Sequence, residues 1–240
     1  MRFDDYLNES KIETLEEFTE LVKRDCGKFL KDVRPSKTFL YRGLHGVSDD
    51  MGIKTPRADR MPKDTSKNGH EYLGNLFKKY HGWNARKEGV FCFGNPAWAG
   101  DYGITYIIFP VNGYKYVWSD DITDLYAYVS DEYNFSYDDK HAQFCILWND
   151  KELECFVDDI MNNYDDYNED EKPDYESIEG NILDKAEKEL SNNIKNYNKN
   201  DLNKAITNYH EHEISLKCKK YYYIIYSGKI DDDLRRLLFN

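Results

Sequence analysis

The sequence predicts an α+β fold built on a mostly antiparallel sheet, continuous or split. Three observations carry that reading. Helical periodicity and β-rich runs occupy separate stretches instead of alternating. Two β-rich runs, residues 105–110 and 114–119, are joined through Asn112-Gly113, a strong hairpin signal. Residues 213–226 hold the strongest β pattern of the chain: Ile214, Leu216 and Cys218, followed by Tyr221-Tyr222-Tyr223-Ile224-Ile225-Tyr226.

Taken in order, residues 1–12 read as a tail. Leu15, Phe18, Leu21, Val22, Cys26, Phe29, Leu30 and Val33 then recur at helical spacing, which predicts one helix over 13–33. The Thr14-x-x-Glu17 pattern opens it as a capping signature, and Pro35 ends it. Thr38-Phe39-Leu40-Tyr41-Arg42-Gly43 is a short β-prone run with Arg42 near its end. From 44 to 68 no period survives, and a long polar loop is expected. Leu73, Leu76, Phe77 and Tyr80 share one face, so 70–80 reads as a helix stopped by Gly82. Residues 89–93 form a buried strand, punctuated by Gly94-Asn95-Pro96. Pro96 suits the first turn of a short helix running through Ala99 to Tyr102. The runs at 105–110 and 114–119 are expected to pair with each other. Residues 150–204 are acidic and rich in Asn and Tyr, an insertion with helix-like stretches around 153–161 and 182–194 and a loop at 165–175. Residues 213–226 then give two strands with a kink at Lys219-Lys220. No internal repeat is present.

A chain of 240 residues suits one domain, here 10–240, with 10–36 as an N-terminal helical segment. Hydrophobic residues at 40% are enough for a core, while 32% charged residues and a mean hydropathy of -0.84 give a very polar surface. Five cysteines without a CxxC pair fit free thiols in a reducing compartment. No window approaches the ~18 apolar residues of a membrane span, and the acidic N-terminus does not resemble a secretion signal. A net charge of -12 argues against stable nucleic-acid binding, which needs clustered Lys and Arg to neutralise phosphates. The charge is uneven: residues 51–90 hold nine Lys/Arg against four Asp/Glu, and 151–190 hold four against fifteen. A basic segment beside an acidic one would suit a phosphorylated ligand, or be two solvated faces.

The segment Tyr209-His210-Glu211-His212-Glu213-Ile214-Ser215-Leu216 carries the clearest chemistry. Glu-x-Glu occurs four times (Glu152/Glu154, Glu169/Glu171, Glu187/Glu189, Glu211/Glu213), so the pair alone says little. The last one stands apart because it opens a strongly β segment. On a strand, residues i and i+2 share a face, so Glu211 and Glu213 are expected to project into one cleft. His210 and His212, as alternate strand residues, would then face away, and no third ligand follows at metal spacing, so no metal site is expected. GxGxxG, Walker and G-x-S-x-G motifs are absent.

The order Tyr41-Arg42-Gly43, then Gly89-Val90-Phe91-Cys92-Phe93-Gly94-Asn95, then Glu211-His212-Glu213-Ile214-Ser215-Leu216 resembles the three-part signature of the mono-ADP-ribosyltransferases. The match spans about 175 residues and is specific at about fifteen. It implies a split antiparallel sheet with flanking helices around an NAD cleft, NAD as the co-substrate, and nicotinamide as the product. By that resemblance Glu213 would oppose the positive charge that develops on the ribose, Glu211 would act as base toward the acceptor, and Arg42 would hold ribose and pyrophosphate. Gly43, Phe91, Cys92, Phe93, Gly94 and Asn95 would line the cofactor site. The family's Ser-Thr-Ser is replaced by Phe93-Gly94-Asn95, so Asn95 is expected to stand in for the missing hydroxyl and Gly94 to leave room for nicotinamide. Phe93 or Tyr102 would stack on the nicotinamide ring, or be core. Arg57 and Arg60, in the loop from Thr55 to Thr65, and with them Asn84 and Arg86, are candidates for the phosphate or adenosine end.

The Glu-x-Glu form favours a protein arginine of a host as acceptor. Two alternatives stay open: an NAD glycohydrolase with water as acceptor, and an inactive virion or interaction protein that keeps the fold. Met1-Arg2-Phe3-Asp4-Asp5-Tyr6-Leu7-Asn8-Glu9 is similar to the capsid-targeting leaders of tailed-phage internal head proteins. That likeness implies prohead-protease cleavage after Glu9 and a protein carried in the virion interior and delivered to the host cytoplasm; an ordinary N-terminal tail is the other reading.

Overall fold

A computed structural model describes residues 12–57, 67–130, 184 and 187–240. The chain divides into two compact units, one formed by 1–58, 88–121 and 198–240, the other by 59–87 and 122–197. The predicted leader, the helix-like stretch at 153–161 and the loop at 165–175 lie outside the described residues. Among those described, no helix is long and apolar enough to cross a membrane.

The first unit is mixed helix and sheet, with two antiparallel sheets. One contains β1 (Leu40–Leu44), β4 (Ile104–Pro110), β7 (Tyr221–Ile225) and β2 (Met51–Lys54), in the order β1-β4-β7-β2. The other contains β3 (Val90–Cys92), β6 (Ile214–Lys217) and β5 (Lys115–Val117), in the order β3-β6-β5. The hairpin expected at Asn112-Gly113 is corrected here. Gly113 does turn the chain, with φ of +90°, but β4 gives both edges to β1 and β7, so β5 pairs with β6 in the other sheet. The passage from β6 to β7 through Lys219-Lys220 makes the same crossing, and the Val111 N–H donates to the Lys220 carbonyl between them. Pro110 faces Tyr221 and Lys115 faces Lys217, so five steps along one side match four along the other. One extra residue is absorbed at the bend, as in a β-bulge, and the long ribbon splits into two sheets there.

The stretch read as loop, 44–68, contains β2, a four-residue strand on the edge of its sheet, half-buried throughout. Its brevity and its mixed Met-Gly-Ile-Lys sequence leave no period to read. The single N-terminal helix is two: α1 (Leu15–Asp25), capped by the Thr14 hydroxyl accepting from the Glu17 N–H, and α2 (Gly27–Val33). Asn112 explains the break. Its N–H donates to the Asp25 carbonyl and its Oδ1 accepts from the Lys28 N–H, both at 2.8 Å, taking two groups a continuous helix would have used internally.

Phe18 and Val22 of α1 and Phe29 and Val33 of α2 are fully buried. Phe18 and Phe29 meet Phe109 of β4 edge-on at 5.7 and 5.9 Å. The C-terminal helix α8 (Gly228–Phe239) stacks Phe239 on Phe39 and presents buried Asp231 to the Tyr41 hydroxyl at 2.9 Å and to Arg235 at 2.7 Å. In the second unit α3 (Lys67–His81) buries Leu73, Leu76 and Phe77, and ends at Gly82, whose φ is +76°. Two short helices follow in the chain, α4 (Ala85–Glu88) and α6 (Leu125–Ser130), and residues 187–195 are helical and bury Leu190 and Ile194.

Asp25 ties α1 to β7. The Arg24 guanidinium bonds both its oxygens at 2.8 Å and the Tyr222 hydroxyl donates at 2.6 Å, holding the carboxyl below its ordinary value, at about 2. A carboxyl depressed in the fold stabilises above its unfolded pKa, near 4, and loses that contribution as pH falls toward 2. Asp25→Asn is expected to cost about 1 kcal/mol at pH 7, with the gap to the parent closing between pH 4 and 2 in urea melts. A gap that stays constant over that range would remove the carboxylate as its cause.

Candidate active site

Arg42 sits on β1 between Tyr41 and Gly43. Its Nη1 donates to the Phe91 carbonyl of β3 at 2.7 Å, while its Nε is buried without a hydrogen-bond partner. Beside it Tyr41 and Phe93 exchange two backbone hydrogen bonds of 2.8 Å each, an isolated antiparallel bridge that joins β1 to the end of β3. On the other side of β3, Phe91 faces Ser215 and Cys92 faces Ile214 of β6, and the Gly94 N–H donates to the His210 carbonyl at 3.0 Å. The segments around Arg42, Phe93 and Glu213 therefore adjoin, although they are far apart in sequence.

The Glu-x-Glu pair is not carried by a strand, contrary to the expectation. β6 begins at Ile214, so Glu213 immediately precedes it, and Glu211 lies in a turn closed by the His212 N–H on the Tyr209 carbonyl at 2.9 Å. Strand alternation therefore does not set their directions. The turn is fixed by its own side chains and by α7 (Leu202–Asn208). The His212 ring lies edge-on to Tyr209 at 5.2 Å, with its Nδ1 2.8 Å from the Ser119 carbonyl. The His210 Nδ1 lies 3.2 Å from the Thr207 carbonyl. His210 does not face away from the carboxylates, since its Nε2 is 3.7 Å from Glu211 Oε1. The Glu211 side chain is 52% exposed and Glu213 is half-buried.

The glycines of the motif serve backbone packing. A Cβ at Gly94 would lie 2.2 Å from the Ile206 carbonyl oxygen of α7, so the space expected for a nicotinamide is filled by that helix. A Cβ at Gly43 would lie 2.4 Å from the Ala99 oxygen and 2.5 Å from the Tyr102 carbonyl carbon, so Gly43 seats α5 (Pro96–Gly100) against β1. Asn95 caps α5, its Oδ1 accepting from the Ala97 N–H at 2.9 Å, so the amide oxygen is engaged within its own turn. Phe93 and Tyr102 stack on each other, with centroids 5.5 Å apart and planes at 17°. Phe93 is core, and Tyr102 is 50% exposed. Cys92 is buried. Arg57 is exposed beyond β2, and Arg60 and Glu9 lie outside the described residues.

Register adds residues the sequence reading missed. Alternation puts Arg42, Tyr106, Tyr221, Tyr223 and Lys54 on one face of the four-stranded sheet. Burial pushes the Tyr221 phenol and the Cys218 thiol up to about 12, and the Arg42 charge opposes both shifts. The only sequence signal for Lys54 was its place in the basic stretch 51–90. Among the described residues no group of three His, Cys, Asp or Glu is placed to hold a metal ion. Comparison with protein-family models, with curated proteins and with solved structures gives no match to this chain.

Proposed function

We propose that this chain is an NAD-dependent mono-ADP-ribosyltransferase on a split-sheet scaffold, passing ADP-ribose to a macromolecular acceptor, protein arginine favoured, and releasing nicotinamide. One observation carries the reading: three distant segments, each holding a piece of the signature, converge on Phe93. Tyr41 reaches it through two bonds of 2.8 Å, and the turn before Glu213 reaches its neighbour Gly94 at 3.0 Å. The buried, unpartnered Arg42 Nε fits the ligand class, since a pyrophosphate or ribose oxygen would supply the missing acceptor.

In this reading the glycosidic carbon–nitrogen bond breaks, and nicotinamide leaves with the bonding electron pair. Glu213 faces the positive charge left on the ribose, a term of electrostatic preorganisation. The acceptor nitrogen then bonds to the anomeric carbon and gives its proton to Glu211, whose exposure suits a group that meets an incoming macromolecule. The same exposure favours a second reading in which water is the acceptor. A virion role, with a prohead protease cutting after Glu9 and action in the host cytoplasm, belongs to the proposal through the likeness of residues 1–9.

The test is incubation with NAD labelled in its adenylate half and a host lysate. Nicotinamide release with label on protein supports transfer. Free ADP-ribose without labelled macromolecules supports hydrolysis. No release and no thermal shift with NAD would support the inactive alternative, for which the engagement of Asn95 in its cap is the argument. Glu211→Ala is expected to lower labelling of protein by roughly 100-fold while leaving nicotinamide release. Unaltered labelling would remove Glu211 as the acceptor's base.

A further inference from the structure

Lys54 ends β2, the edge strand of the four-stranded sheet, opposite Tyr221 of β7. Arg42 lies on β1, beyond β7 and β4, on the same face. The two cations sense each other: the Lys54 ammonium is held below its ordinary value first by burial and then by the Arg42 guanidinium. The Arg42 charge also reaches Tyr221, the cross-strand partner of Lys54.

Such an arrangement is costly as it stands. The chain holds 45 Asp and Glu against 33 Lys and Arg, so carboxylates are plentiful. Yet among the described residues neither Arg42 nor Lys54 has a carboxylate within ion-pair distance; Arg42 bonds only a carbonyl, and its Nε is buried and unmet. Like charges sharing a half-buried face repel more strongly than they would in water, and each favours the neutral form of a neighbouring base. An anion placed between them reverses both effects. A guanidinium fork takes two oxygens in a plane and an ammonium takes a third as a point charge, which suits a diphosphate better than a single carboxylate. The Tyr221 hydroxyl, kept protonated by burial, is a neutral donor on the same face.

We propose that Lys54 is the second cation of the ligand site, holding with Arg42 the diphosphate of the dinucleotide. This assignment rests on the transferase reading for the identity of the ligand, and on the shared sheet face for the site itself. Lys54, on the sheet face itself, supplies a basic contact from this part of the chain.

The test is calorimetric titration of the full chain with inorganic pyrophosphate and with ADP-ribose, for the parent, Lys54→Met, Lys54→Arg, Arg42→Met and, as control, Lys229→Met, an exposed residue of α8. Lys54→Met is expected to weaken both ligands by about tenfold or more, as for a lost charge-assisted hydrogen bond. Lys54→Arg should recover most of the affinity, Arg42→Met should lose it as severely, and Lys229→Met should leave it unchanged. In the NAD assay Lys54→Met should raise KM with little change in kcat. Lys54 is half-buried at the end of an edge strand, and thermal melts of the two Lys54 variants check that both fold. Unchanged pyrophosphate affinity in a folded Lys54→Met overturns the assignment, whatever the NAD assay gives. Loss of pyrophosphate binding in Lys54→Met, with no nicotinamide release from the parent, upholds the anion site and removes the transferase reading.

Discussion

Glu213→Gln is expected to reduce nicotinamide release from NAD by roughly 10²–10³-fold while leaving the melting temperature within a degree or two of the parent. The substitution keeps the shape, removes the charge and turns one acceptor oxygen into a donor, so it separates the carboxylate's contribution from that of its bulk. Glu213 is well placed for that separation. It is half-buried and directly precedes β6, whose Ile214, Ser215 and Leu216 are buried and paired with β3. Backbone pairing of the three residues that follow therefore anchors Glu213 at the strand entrance. The measurement is single-turnover nicotinamide release beside a thermal melt. Turnover retained at the parent rate would exclude Glu213 as the charge that faces the reacting ribose. A large loss of melting temperature would make Glu213 a structural residue, because its place at the strand entry would then depend on the carboxylate.

What the sequence made legible is local chemistry. Thr14 caps α1, Gly82 ends α3, Pro96 opens α5, and Lys219-Lys220 separates β6 from β7, each at the residue its chemistry singled out. The three signature segments could be located for the same reason, since strands of Tyr, Ile and Phe announce themselves. Partner choice was not legible. Asn112-Gly113 has the residues of a hairpin turn, but pairing depends on which edges are free, and β4 has none once β1 and β7 are in place. Asn112 also ends a helix nearly ninety residues earlier, by bonding at Asp25 and Lys28, and no periodicity within 13–33 could report that. The two glutamates expected on one strand face lie elsewhere, one in a turn and one at a strand entrance, because the strand begins only at Ile214. Lys54 was missed because a four-residue edge strand with a glycine in it shows no alternation.

Gly94→Ala is expected to be among the most damaging one-carbon changes at the described glycines, costing about 2–3 kcal/mol and lowering the melting temperature by roughly 5–10 °C. The added carbon would sit 2.2 Å from the Ile206 carbonyl oxygen and 2.8 Å from both the carbonyl carbon and the Cα of the same residue. All three are backbone atoms of α7, so no side-chain rotation relieves the clash and either β3 or the helix must move. Gly94 is not among the positive-φ glycines, so the penalty is steric and not conformational. The displacement has a functional side. The Gly94 N–H donates to the His210 carbonyl, and α7 leads directly into the turn that carries Glu211 and on to Glu213. Pushing the helix away from Phe93 separates the carboxylate segment from the strand to which Arg42 is bonded. Catalytic loss should therefore exceed what the fraction unfolded accounts for, and it should appear in kcat at temperatures well below the melt. Gly228→Ala is the matching control: a Cβ there meets nothing within 4 Å, and it is expected to shift stability by well under 1 kcal/mol. Equal melting of the Gly94 and Gly228 variants would mean that α7 yields freely, and the close packing of β3 on that helix would then not be what positions the two glutamates.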